Sequence, residues 1–320
     1  MSVTRERIQG ETAAAAMCIT RDEISYPANL REIPLPPERL WVRGRVEADD
    51  TLAVAIVGAR EATQYGIGCA ERLAADLAAR GITIISGLAR GIDSAAHRGA
   101  LRAGGRTIAV LGSGVDVIYP PENRRLALEV AEGGAVVSQF APGTPPLAGY
   151  FPVRNRVIAG LSLGVVVVEA AEKSGSLITA GLAGELGREV MAVPGPLTSL
   201  MSRGAHRLIQ DGAALVQGWE DVVGQLPLRF RDQVKPVAVP ANAGGPDHLA
   251  HGLHAEGHAD REAGNDESLL LLRVIGREPV GIDQIIERSG LAPGRASALL
   301  MTLEIEGRIR QLEGKRFVAA

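Results

Sequence analysis

From residue 52 to residue 225, short apolar runs alternate with segments of helical pattern. Strands are expected at 52–57, 82–85, 107–111, 135–138, 164–169, 190–193 and 214–216. Helices are expected at 66–80, 92–103, 123–132, 154–161, 177–186 and 203–211, with a short one near 220–225. The strand runs are continuously apolar, without polar alternation, which marks a parallel sheet covered on both faces. The alternation therefore predicts a doubly wound, mostly parallel Rossmann-like α/β domain. Aromatic residues make up only 3% of the chain, so Ala, Val, Leu and Ile must fill its core.

The flanks differ from this domain. Residues 1–50 are a lead-in that packs on it: a short helix or frayed tail over 1–18, a break at Tyr26-Pro27, Pro34, Pro36 and Pro37, then a short edge strand at 40–42. Residues 226–265 are rich in Pro and Gly and read as a linker. His248, His251, His254 and His258 fall within it, but no cysteine or apolar frame accompanies them, so they read as solvated rather than as metal ligands. Residues 266–320 give helices at 269–275, 284–289 and 295–306, then a hairpin of 309–312 with 316–318, which is a winged-helix pattern. With eight Lys/Arg against eight Asp/Glu, this domain fits protein contact at least as well as DNA reading.

Function classes narrow quickly. The net charge of −3 confines any nucleic-acid site to a local patch. Two cysteines make no disulfide framework, and neither a membrane-length apolar run nor a signal peptide is visible, so a cytoplasmic protein is expected. In open parallel sheets ligands sit beyond the carboxyl ends of the strands. There the chain places Gly58 and Arg60, the loop from Ser86 through Gly87, Arg90 and Gly91 to Asp93, and Ser113. It also places there Phe151, Arg154, Asn155 and Arg156, then Lys173, Ser174, Gly175 and Ser176 with Thr179 one turn on. Arg60, Arg90, Arg154, Arg156 and Lys173 are thus expected on one rim, while residues 51–225 as a whole carry 15 basic and 15 acidic side chains.

An anion site follows, from loop N–H groups and a helix start facing arginines. A dinucleotide fingerprint is missing, since Glu71 stands where the third glycine should be and Ser86 where an acid should bind ribose. No P-loop is present either. Several anion pockets along a rim suit a polyanion: a single strand with phosphates on loop N–H groups and arginines, and Phe151 stacking a base. Ser86, Asp93 and His97 could be drawn as a triad, but Asp93 reads as a helix-start cap and His97 as its partner or that of a neighbouring loop. Glu169, Glu172 and Asp116 read as single acids without evident partners, and no metal or cofactor is expected.

These motifs resemble the DprA/Smf family. The resemblance rests on Val54-Ala55-Ile56-Val57-Gly58-Ala59-Arg60 with Thr63 and Tyr65-Gly66, on Ser86 through Asp93 with Ala96-His97, and on Thr107 through Gly112. It continues through Asp116, Tyr119-Pro120, Phe151-Pro152, Arg154-Asn155-Arg156, Glu169-Ala170, Ser174 through Leu177, Thr179-Ala180 and Val193-Pro194-Gly195. The resemblance covers residues 25–225 and extends to the winged helix. It implies a homodimer that binds single-stranded DNA, protects incoming strands during natural transformation, and loads the RecA recombinase, also onto strands coated by single-strand-binding protein, without catalytic turnover. Carried over, Arg60, the 87–91 loop, Phe151, Arg154–Arg156 and Lys173–Ser176 would line the DNA pocket. Two departures stand out: the family's N-terminal helical domain is missing or reduced, and Gln139 replaces a usual Glu. The competing expectation is a nucleotide-binding or nucleotide-hydrolysing Rossmann-like enzyme, whose Pro-Gly-Gly-x-Gly-Thr motif the chain lacks. A third is a winged-helix regulator reading duplex DNA.

Overall fold

A computed structural model of the chain describes residues 16–236 and, beyond them, 271, 274–275, 280–291, 296, 299–300, 303–304, 308–312 and 316–319. The chain divides into two compact units, Met1–Val239 and Pro240–Ala320. In chain order, the first unit runs β1 (Met17–Thr20), α1 (Ala28–Arg31), β2 (Arg39–Gly44), β3 (Ala53–Val57), α2 (Gln64–Ala79), β4 (Thr83–Ser86), α3 (Ile92–Arg102) and β5 (Thr107–Val110). It continues with α4 (Arg124–Gly133), β6 (Ala135–Ser138), α5 (Tyr150–Leu161), β7 (Gly164–Val167), α6 (Gly175–Glu185), β8 (Glu189–Ala192), α7 (Arg203–Gln210), β9 (Ala214–Leu215), α8 (Trp219–Gln225) and α9 (Leu228–Arg231).

These strands form one sheet in the order β1-β2-β6-β5-β4-β3-β7-β8-β9. From β6 to β9 every neighbouring pair is parallel. The fold is the doubly wound α/β architecture expected from the alternation. The strands alternate their side chains between two cores, as a two-sided sheet requires. Val54 and Ile56 of β3 join Leu73, Leu77 and Ala95 on the α2/α3 face. Ala53, Ala55 and Val57 join Val157, Ile158 and Ala180 on the α5/α6 face. The winding reverses at β3, which pairs with β4 on one side and β7 on the other. Such a switch point opens a crevice at the carboxyl ends of its strands.

Two expectations about the lead-in are corrected. The strand expected at 40–42 is not an edge: β2 lies inside the sheet, antiparallel to both β1 and β6. Leu40 and Val42 are fully buried there, so the period-two pattern of a covered strand was present but short. The edge is β1, formed by Met17–Thr20, where a helix or tail was expected through Cys18. The rest of that expected segment, 1–15, lies outside the described residues, as do the four linker histidines. Among the described residues no helix is long and apolar enough to cross a membrane.

The second unit contains β10 (Val280–Gly281), α10 (Ile282–Ser289), β11 (Ile309–Leu312) and β12 (Arg316–Ala319). β12 pairs antiparallel with both β10 and β11, which forms the wing hairpin. α10 ends on Gly290 in the left-handed region (φ 66°), whose N–H bonds the Ile286 carbonyl and satisfies one of the last free acceptors. Leu271, Ile275, Ile285, Leu300, Leu303, Ile309 and Phe317 form its core. Of the expected third helix, 295–306, only residues 296, 299–300 and 303–304 are among the described residues.

Candidate nucleic-acid interface

The crevice at the switch point holds a cavity of about 340 Å³. Its walls come from the ends of two strands and the starts of two helices: Gly58 and Arg60 after β3, Ala89 and Asp93 after β4, Phe151, Arg154 and Asn155 on α5, and Ser174, Gly175, Ser176, Ile178 and Thr179 at the start of α6, which follows β7. α5 begins at Tyr150, four residues before the expected start, and this decides which side chains meet. Phe151, Arg154 and Asn155 stand at i, i+3 and i+4, on one helix face. Arg156 is two residues from Arg154, on the far side of that helix. Its guanidinium donates to the Pro34 carbonyl of the lead-in, so Arg156 does not join the cavity.

The floor is a buried ion pair. Arg154 is 5% exposed and Asp93 6%, with Nη1 and Oδ2 4.0 Å apart. The Nε of Arg154 is buried and has no partner among the described residues. Burial holds the Asp93 carboxyl above the usual carboxylate range, opposed by Arg154, the Ala89 N–H, Ser86 and Arg60. Burial also pulls the Arg154 guanidinium down; Asp93 raises it and Arg60, a like charge, lowers it. Arginine remains a cation under any ordinary condition. A charged donor with free hydrogen-bonding capacity therefore faces a cavity large enough for a phosphate group and part of a sugar or base.

Close backbone approach makes room for it. A Cβ on Gly87 would lie 1.6 Å from Arg154 Nη1, so only glycine fits over the guanidinium. Gly91 adopts φ 70°, and a Cβ there would meet the Ala59 carbonyl at 2.3 Å. Between them Leu88 takes φ 59° although it is not glycine. Such a conformation costs on the order of 1–2 kcal/mol. Complete burial of Leu88 and the Asn123 Nδ2 bond to its carbonyl (2.8 Å) hold it in place.

The opposite wall is the N-terminus of α6. Ser174 caps it, accepting from Ser176 N at 3.3 Å, and the two hydroxyls are 2.7 Å apart. The Leu177 N–H is likewise taken, by the Ser174 carbonyl at 3.1 Å, so it is the helix dipole that favours an anion there. Asn155 Nδ2 donates to the Gly175 carbonyl at 3.4 Å and ties the two walls together. Phe151 lies between two cations, 5.2 Å from Arg60 and 5.9 Å from Arg154, and Tyr119 approaches its ring at 5.9 Å. A small adjoining hollow is lined by Arg60, Arg90, Tyr119 and Phe151. Arg90 pairs with Glu122 at its mouth.

The structure thus brings together Gly58, Arg60, Gly87, Gly91, Phe151, Arg154, Asn155, Ser174, Gly175, Ser176 and Thr179, with Arg90 beside them. Lys173 is exposed and outside the lining. Ser113 is buried and turned inward, its hydroxyl donating to the Val117 carbonyl at 2.6 Å. The expected rim of five cations reduces to Arg60 and Arg154 in the cavity and Arg90 at its edge. Asp93 and Tyr119 belong to the site but were not singled out for it.

The acids and His97 also have partners other than those expected. His97 Nδ1 lies 2.6 Å from Thr107 Oγ1 and bonds there rather than to Asp93. The Thr107 hydroxyl donates to the Ile84 carbonyl, so the histidine carries its proton on Nδ1, an assignment made from the hydrogen-bond network. Burial and the charges of Arg154 and Arg98 push the imidazole down to about 3. The Ser86 hydroxyl donates to the Ile56 carbonyl, so the three residues form no triad. Glu169 accepts from Thr63, Asp116 from the Gly143 N–H, and Glu172 lies 3.6 Å from Arg203.

A larger cavity, about 830 Å³, is lined by residues 22–31 and 46–51 with Ile85, Ile108 and Leu161. Of its acidic side chains, Glu47 and Asp50 are paired with Arg106 at 3.3 and 2.9 Å, while Asp22 and Glu23 stand with Arg31, whose guanidinium donates to backbone carbonyls, so the charge balance there does not favour phosphate.

Comparison with known proteins identifies the family and the fold. Residues 17–227 match the family described as DNA recombination-mediator protein A, and residues 256–315 match the DprA winged helix domain. Protein Smf of Escherichia coli is 40% identical over 92% of this chain and 75% of its own length. Protein Smf of Synechocystis is 37% identical over 93% and 79%. The X-ray structure of DNA processing protein A from Streptococcus pneumoniae superposes with a TM-score of 0.64 at 42% identity, over 67% of this chain and 75% of that one. A Helicobacter pylori structure, whose subject is the single-stranded DNA binding mode of its DNA processing protein A, gives 0.58 at 30% identity, over 66% and 96%. With both the sheet domain and the winged helix matched, the chain belongs to the DprA/Smf family of DNA recombination mediators.

Proposed function

We propose that this chain binds single-stranded DNA across the carboxyl ends of β3, β4 and β7, with one backbone phosphate in the cavity over Arg154. The observation that carries this reading is the buried, under-partnered guanidinium of Arg154 at the floor, with Arg60 above it and the α6 N-terminus opposite. A flexible strand can lower a phosphate to that floor and present an unstacked base to Phe151. A duplex, with its stiff backbone and paired bases, cannot do both. The subject of the Helicobacter pylori structure supports the same ligand.

In this reading the protein acts in the cytoplasm as a homodimer. It shields incoming strands during natural transformation and hands them to RecA, including strands coated by single-strand-binding protein. It turns over no substrate. The test measures anisotropy of a fluorescent oligo-dT and of its duplex counterpart across a salt series, and RecA ATPase on oligo-dT coated with single-strand-binding protein. Preference for the single strand, weakening with salt, and a shortened RecA lag are expected. Equal affinity for duplex would sink the site assignment, and an unchanged lag would sink the mediator role.

A further inference from the structure

Arg60 sits on a short loop between β3 and the N-cap of α2, and one residue of another strand end holds both ends of that loop. The Ala59 N–H donates to the Glu169 carbonyl at 2.7 Å. The Thr63 N–H donates to Glu169 Oε2 at 2.8 Å, and the Thr63 hydroxyl to Oε1 at 2.6 Å. Glu169 is 1% exposed. Among the described residues no cation pairs with it. The first turn of α2 closes over the carboxylate, since a Cβ on Gly66 would meet Oε2 at 2.3 Å. Thr63 in turn caps α2, accepting from Gly66 N. The carboxylate thus takes the place that an anion takes at a helix N-terminus, and spends its lone pairs on the loop that carries Arg60.

We infer that Glu169 is the positioning residue for Arg60: it fixes the 58–63 loop so that the guanidinium stands over Phe151 and the cavity. This rests on the strand-binding reading above. Without the tether the loop retains Ile92 N–H to Ala59 carbonyl at its near end, and the Thr63 end is released. Arg60 then loses the fixed geometry that lets a guanidinium form paired bonds to phosphate.

The decisive variant is Glu169→Gln, which keeps the volume but removes the charge: one oxygen remains for the Thr63 N–H, and the amide NH2 forces the Thr63 hydroxyl to give up its donor role. Oligo-dT affinity and its salt slope are measured for wild type, Glu169→Gln, Arg60→Ala and the double variant, with melting curves to confirm folding. The expected result is about a tenfold loss for Glu169→Gln, the slope falling by about one as in Arg60→Ala, and less than about twofold further loss in the double variant. A merely structural acid would lower the melting temperature without moving the slope. Equal loss from Glu169→Gln in the presence and absence of Arg60, or unchanged affinity and slope, overturns the inference. A silent Arg60→Ala would instead remove the strand-binding reading itself. Should Glu169→Gln not fold, Thr63→Val removes the hydroxyl bond to Oε1 together with the cap on Gly66 N, and leaves the Thr63 N–H bond to Oε2 in place. A smaller loss, again absent without Arg60, is expected, and wild-type binding by Thr63→Val overturns the inference.

Discussion

Replacing Gly87 by alanine perturbs the site through one atom. The added Cβ would lie 1.6 Å from Arg154 Nη1, 2.4 Å from Cζ and 2.7 Å from Nη2. No positive φ is involved, so the backbone accepts alanine and the conflict is steric alone. Ordinary contact requires the guanidinium to retreat about 2 Å. The sheet and Asp93 close the floor below, which leaves the cavity as the way out, where Arg154 fills the space meant for phosphate. Overpacking costs about 1–3 kcal/mol, at the low end because an arginine tip can swing. Stretching the Asp93 pair adds to this, since a buried charge deprived of its partner costs about 3–5 kcal/mol at the limit. For a domain of this size each kcal/mol lowers Tm by about 2–4 °C. Stability should therefore fall by about 2 kcal/mol and Tm by about 4–8 °C. Binding should fall further, roughly 10- to 100-fold, because a charge-assisted contact worth about 1.5–3 kcal/mol is lost. The assay pairs thermal melting with oligo-dT anisotropy, for Gly87→Ala alone and in an Arg154→Ala background, where the clash has no target. Wild-type affinity for Gly87→Ala, or an equal stability loss in both backgrounds, would refute the reasoning.

Other perturbations give expectations of different kinds. His97 is held neutral with its pKa at about 3 against about 6.5 unfolded, so the unfolded state binds more protons between these values. The histidine therefore contributes stability that is present above pH 6.5 and declines as pH falls toward 3, by about 1.4 kcal/mol per unit. Asp93, raised by burial, works in the opposite direction, so the slope should be read as wild type minus His97→Gln in urea titrations at several pH values. A flat difference would contradict the buried neutral imidazole. Glu122→Gln should release Arg90 toward the adjoining hollow and tighten oligo-dT binding, and weaker binding would show that the pair shapes the loop instead. Phe151→Ala should cost about 1–3 kcal/mol of strand affinity with little change in salt slope, whereas a changed slope would mean that the ring serves mainly to hold Arg60 and Arg154.

Much of the fold could be read because its strands are buried on both faces. Runs such as Val54-Ala55-Ile56-Val57 mark strands covered on both faces, and their alternation with helical segments points to a parallel sheet whose ligands sit at the carboxyl ends; the pairing of β3 with β4 and β7 then locates the crevice. β2 was harder, since the prolines before it and its shortness suggest a strand at the margin. Of the two antiparallel partners that enclose it, β6 is distant in sequence. Within the site, the glycines and Phe151 were legible from loop position, and Arg60 from the end of β3. Arg156 was misplaced because two residues along a helix turn more than half a circle, so Arg154 and Arg156 cannot face one crevice whether the helix starts at Tyr150 or at 154. The burial of Arg154 against Asp93 was not legible either. Arginine and aspartate belong on surfaces by default, and only the fold brings α5 against the loop after β4. Glu169 escaped for the same reason: its partner Thr63 is on another strand-to-helix connection.

The central claim is that a single strand crosses the carboxyl ends of β3, β4 and β7 rather than the winged helix. Photo-crosslinking of an iodouracil-substituted oligonucleotide to the full chain, with the attached residue mapped by mass spectrometry, tests it most directly. Attachment at Phe151 or Tyr119 is expected, competed by unlabelled oligo-dT and lost in Arg60→Ala. Attachment confined to residues 271–319, undiminished by Arg60→Ala, would contradict it.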